Sequence, residues 1–191
     1  MGPVGIILII VAILAVIFIA VAALYNGLVK LDERVNEAWS DITVQLKYRA
    51  DLIPNVVETV KGYAKHEKET FDAVTSARTA AMGAKTVKQA QEADGQMEAA
   101  LGRIFAIAEA YPELKANTNF QTLQTQLQDV EDKIQAARRF YNAGVKELNT
   151  KIKTFPANII NSMMLKFKKR DYFEVSETEK AKIDNAPEVK F

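Results

Sequence analysis

The sequence predicts an all-α protein: an N-terminal transmembrane helix followed by an antiparallel four-helix bundle. Three observations carry this. Residues Pro3 to Leu24 contain no charged or strongly polar side chain. From Leu28 onward apolar residues recur every three or four positions, the helical period. No period-two run of β-branched residues competes with that pattern. The expected organisation is an anchor over 1–25, a helical body over 26–156, and a tail over 157–191 that is first apolar and basic, then polar.

The anchor is the run PVGIILIIVAILAVIFIAVAAL, marked along its length by Pro3, Ile6, Ile10, Leu14, Phe18, Ala22 and Leu24. At about 1.5 Å per residue it is roughly 33 Å long, enough for a hydrocarbon core of about 30 Å. A cleaved signal peptide would have a basic start and a shorter apolar core, whereas Met1 and Gly2 carry no charge. Ala20, Ala22 and Ala23 imitate a cleavage motif, which leaves cleavage as the alternative to a retained single-pass anchor. Tyr25 and Asn26 suit the interface just beyond the span. Lys30, Arg34, Lys47 and Arg49 lie after the span and no basic residue lies before it. The positive-inside rule therefore places the body in the cytoplasm and the N-terminus outside the cell membrane.

Four apolar stripes define the body. Leu28, Leu31, Val35, Ala38, Ile42 and Leu46 form the first, with Trp39 at its edge; Leu52, Val56, Val60, Phe71 and Val74 form the second. A weaker third uses Val87, Ala90, Met97, Leu101, Ile104 and Ala108. The fourth, from Leu123 through Val130, Ile134, Tyr141, Val145 and Ile152 to Phe155, is the clearest. Gly83 and Thr86 mark an end and a start, YPELKANTNF precedes the fourth stripe, and Pro156 closes it. Gly144, inside the strongest stripe, costs about 1 kcal/mol against Ala; a close helix neighbour or a partner chain would offset that cost.

The stretch YRADLIPNVVETVKGYAKHE interrupts this pattern. Pro lacks an N–H and pushes its predecessor out of helical geometry. The favoured expectation is a turn near Ala50, with Asp51 capping a second helix and Pro54 in its first turn. The alternative is one long helix kinked at Pro54. A turn would bring the end of the fourth helix back to the membrane, whereas a kink would leave the tail far from it. Near the bilayer Lys166, Lys168, Lys169 and Arg170 would meet anionic lipid at about 1 kcal/mol each, and Met163, Met164, Leu165 and Phe167 would dip or pack. Alternatively the apolar residues cover the end of the bundle and the basic ones are solvated.

Few residues offer chemistry. With no Cys there is no disulfide, thiol nucleophile or thiolate site. A net charge of +1 argues against a nucleic-acid binder. The single His66, with Glu67, Glu69 and Asp72 nearby, lacks the second His of a zincin, because position 70 is Thr. It lacks the Glu-x-x-His of a di-iron bundle as well, because position 63 is Tyr. No Gly-rich phosphate loop and no G-x-S-x-G is present. The expectation is no enzyme, no metal, no cofactor and no small-molecule substrate.

The motif strings point further. YNGLV after the span, EAW, VQLKYRADLIPNVVETVKGYAKHE, VTSAR, YPELKANTNFQTLQTQLQDVEDKIQAARRFYNAGVKELNTKI and FKKRDYFE together closely resemble the LemA family of bacterial membrane-anchored proteins. Tyr48 stands where that family often has a basic residue. The resemblance implies one transmembrane helix, an antiparallel four-helix bundle and a cytoplasmic body. It implies no agreed chemical role for Tyr25, Asn26, Trp39, Gln45, Arg49, Asp51, Pro54, Lys61, His66 or Glu67. The functional expectation is a structural or scaffolding protein of the lipid bilayer that self-associates through its helices. The competing expectation is an adaptor for another membrane protein, such as a membrane protease.

Overall fold

The computed structural model describes residues 2–174; the polar tail read beyond Ser176 lies outside the described residues. Regular structure among the described residues is entirely helical. It comprises α1 (Pro3–Lys61), α2 (Lys68–Gly83), α3 (Val87–Ala110), α4 (Pro112–Lys115), α5 (Thr118–Lys153) and α6 (Ala157–Ile160), with a π-helical turn over Asn161–Leu165. Two compact units are assembled from separated stretches of chain. One takes the residues up to Trp39 with Phe140–Asp171; the other takes Ser40–Arg139 with the residues from Tyr172.

In the first unit, the N-terminal part of α1 is apolar and almost wholly exposed through Ala20. This segment is long and apolar enough to cross a membrane. Beyond it the stripe begins to be buried: Leu28, Val35 and Ala38 are inaccessible to solvent, as are Tyr141, Val145 and Leu148 of α5. The two segments run antiparallel. Trp39 lies against Tyr141, with ring centroids 5.9 Å apart, and Arg34 bonds Glu147 at 3.1 Å. Between these levels a Cβ added at Gly144 would sit 3.4 Å from Val35 Cγ2. That is ordinary contact, so Gly144 marks a close neighbour that still leaves room for alanine.

The second unit holds a core of Leu52, Ile53, Val56, Val60, Phe71, Val74, Met97, Leu101, Ile104, Leu114 and Phe120, among others. Its helix ends match the sequence punctuation. Thr86 caps α3, accepting from Gln89 N at 3.2 Å, while Gln89 Oε1 accepts from Lys85 N at 2.9 Å. Asn117 caps α5 by accepting from Phe120 N, and its amide donates to Tyr63 Oη at 2.9 Å.

The turn expected at Asp51 and Pro54 is not there. Both residues lie within α1, exposed, and the chain turns at 62–67 instead. Two physical effects outweigh the proline. Leu52, Ile53, Val56, Val57 and Val60 are all buried along the continuing face. At about 1.5–3 kcal/mol per side chain they exceed the roughly 3 kcal/mol cost of an interior Pro. The carbonyl that Pro54 leaves without its helical donor belongs to Ala50, and Arg78 Nε of α2 donates to it at 3.0 Å. His66 accordingly falls in the exposed link and not on a helical face.

Candidate functional site

The part of the first unit next to the apolar run is built by the end of α5 and the tail. After Lys153 the chain passes Phe155, whose peptide bond to Pro156 is cis, and coils through α6 and the π-helical turn. Asn161, buried, pins the chain where this coil ends. Its side chain accepts from Phe167 N at 2.8 Å and donates to Phe167 O at 3.0 Å, bracketing Phe167 just after Lys166, which adopts a left-handed φ of 55°. One step along, Asn149 on α5 does the same for Arg170, donating to its carbonyl at 2.9 Å and accepting from its N–H at 3.0 Å. Tyr141 Oη donates to Asp171 O at 2.9 Å. Burial pushes the Tyr141 phenol above its ordinary pKa of 10.0; the Arg170 guanidinium pulls it down and Asp171 pushes it up, both less strongly. The tail backbone, having no helix or sheet of its own here, is satisfied by two amides and a phenol.

This docking puts Phe167 against Tyr25, the first residue after the apolar run, with ring centroids 6.2 Å apart. The loop leaves Phe155, Ile159, Met163 and Met164 open to solvent, Met163 at 74%. Lys166, Lys168 and Lys169 are exposed. Arg170, a lipid contact in one of the two expected readings, is partly covered. Its guanidinium bonds Asp32 Oδ1 at 2.9 and 3.1 Å and Asn36 Oδ1 at 3.0 Å. The expected coupling also fails: the tail reaches the end of the apolar run although α1 continues past Pro54, because the chain still reverses, only later.

A second polar constellation lies in the other unit. Arg49, with a side chain 3% exposed, donates to Asp94 Oδ1 at 2.5 Å and to Glu131 Oε2 at 2.6 Å. Arg138 bonds the other Asp94 oxygen, and its guanidinium lies 4.9 Å from the Phe173 ring centroid. Asp94 thus bridges two arginines, tying α1 and α5 to α3. No group of three or more His, Asp or Glu side chains at metal-binding spacing occurs among the described residues.

The structure places the expected span residues Pro3, Ile6, Ile10, Leu14 and Phe18 on exposed surface, with Ala22 and Leu24 partly covered. Sequence reasoning missed Asp94, Asn149 and Asn161. A signal existed for two of them. Asp94 falls between Ala90 and Met97, and Asn149 between Val145 and Ile152, each a polar residue at an apolar stripe position. Asn161 carries no such mark.

An apolar helix of membrane-spanning length with a helical body and a tail fastened at its end defines a membrane-associated helical protein. The sequence model of the LemA family matches residues 38–191. The chain therefore belongs to the LemA family. Among its relatives, Magnetosome protein MamQ 2 of Paramagnetospirillum magneticum is 26% identical over 91% of this chain and 73% of its own length. Magnetosome protein MamQ of Magnetospirillum gryphiswaldense is 27% identical over 90% and 73%. Protein LemA of Metamycoplasma hominis is 27% identical over 84% and 74%.

Proposed function

We propose that this protein is a non-enzymatic, single-pass structural component of the cell membrane. Its N-terminus lies outside, its four long helices form a cytoplasmic antiparallel bundle, and it self-associates through that body. One observation carries the reading. In the second unit Val44, Tyr48 and Met82 are large apolar side chains left exposed. Val44 and Met82 line a groove of about 340 Å³ together with Lys47, Ala81 and Ala84. Exposed large apolar side chains beside a groove on a water-facing body suit a protein contact.

The test is mass photometry of the full chain in mild detergent. Discrete oligomers are expected, and Val44→Glu with Met82→Glu should shift them to monomer. Monomers alone for the unaltered chain would sink the proposal. Crosslinking in membranes separates the adaptor reading, which requires a second protein at the groove in place of another copy. The tail loop adds a membrane-surface contact through Phe155, Met163, Met164, Lys166, Lys168 and Lys169, supported by the Phe167–Tyr25 contact. A spin label at Met163 should be reached by lipid-soluble quenchers, and exclusive quenching from water would remove that contact.

A further inference from the structure

Within the first unit, directly past the apolar run, α1 and α5 leave an open groove of about 680 Å³. Leu31 and Ala143 are among its apolar lining residues, and Gly27 is the lining residue of α1 nearest the apolar run. Lys30, Arg34, Lys146 and Lys151 form the rim, against the one lining carboxylate, Glu147. Glu147 is held by Arg34 at 3.1 Å, so the lone acid pairs with one base. Lys30, Lys146 and Lys151 are exposed.

Position decides what such a groove suits. At about 1.5 Å per residue, Gly27 lies roughly 5 Å and Lys30 roughly 9 Å past Leu24 along α1. The headgroup zone extends about 5–7 Å beyond the hydrocarbon core on each side. Lysine side chains on long apolar stems cover the remaining distance. The Arg34–Glu147 and Gly144–Val35 pairings bring Lys151 level with about Lys30, so two exposed lysines stand at headgroup height, where a lipid phosphodiester lies.

We propose that this groove is a binding site for a single anionic phospholipid of the adjoining leaflet, its phosphate held by Lys30 and Lys151 at the end nearest the apolar run, with Lys146 adding positive charge farther out. The site rests on the apolar run being a membrane anchor and is independent of self-association. It is distinct from the tail loop, whose lysines meet the surface without a cavity.

The full chain is purified in mild detergent and titrated with phosphatidylglycerol or phosphatidylcholine, and retained lipid is counted by native mass spectrometry. One phosphatidylglycerol per chain is expected, in preference to phosphatidylcholine. Lys30→Gln with Lys146→Gln and Lys151→Gln should weaken it by roughly two orders of magnitude, taking about fivefold per lysine. Lys166→Gln with Lys168→Gln and Lys169→Gln should leave it in place. Equal retention of both lipids, survival of binding in the groove variant, or displacement by millimolar inorganic phosphate would each overturn the site. Failure of the anchor reading is separately visible, as release of the protein from membranes by alkaline carbonate without detergent.

Discussion

Asp94 illustrates how much one residue holds. Its two carboxylate oxygens receive Arg49 and Arg138, with the Asp94 and Arg49 side chains nearly inaccessible. Removing one partner from a buried pair leaves uncompensated charge, which costs about 3–5 kcal/mol. Asp94→Asn should therefore lower the unfolding free energy by that amount in urea denaturation, without changing the far-ultraviolet helical signal of the folded state. Tyr141 makes a smaller, pH-dependent contribution. Its folded pKa is raised above 10.0, so the native state holds this proton more tightly than the unfolded one. The stabilisation is fully present below pH 10 and is lost as pH rises through the raised folded value. Tyr141→Phe should cost about 1 kcal/mol at neutral pH by deleting the bond to Asp171 O. It should also flatten the alkaline fall in stability monitored by thermal melts from about pH 9 to 11.

At the scale of the helix, Pro54 is tolerated because another helix supplies what it lacks. Arg78→Ala should expose the Ala50 carbonyl and cost about 1–3 kcal/mol. Pro54→Ala restores the helical N–H to that carbonyl, so Arg78→Ala made in a Pro54→Ala background should cost markedly less. A double-mutant cycle in denaturant measures the difference, and strict additivity would show that Arg78 does not act through Ala50. The same contact explains the limit of the sequence reading here. Proline chemistry and the apolar stripe are both local and both legible, yet they point in opposite directions. The deciding contact comes from a residue 28 positions away, and nothing local marks Arg78 as its source. Where local signals agreed, as at Thr86 and Asn117, the helix boundaries were readable.

For the molecule as a whole, helical class and the long apolar N-terminal helix were legible because each rests on periodicity or length. The docked tail was legible only as composition. MMLKFKKRDYF reads as apolar and basic, which left lipid or solvent for all its cations, whereas Arg170 bonds Asp32 and Asn36. Pairings across such distances leave no periodic trace. A consequence can be measured. Asn149→Leu removes both bonds to the Arg170 backbone and leaves those two groups without their partners. The tail should then detach, so limited proteolysis should cut between Lys166 and Arg170 several-fold faster, with unit-two core unfolding unchanged.

The bond between Asp32 and Arg170 spans 138 positions of chain. During synthesis the apolar stripe of α1 leaves the ribosome well before α5 does. Leu28, Val35 and Ala38 then have to wait uncovered until α5 and the residues around Arg170 follow. A chain stalled or truncated before residue 170 would leave this stripe incompletely covered and open to quality-control proteases.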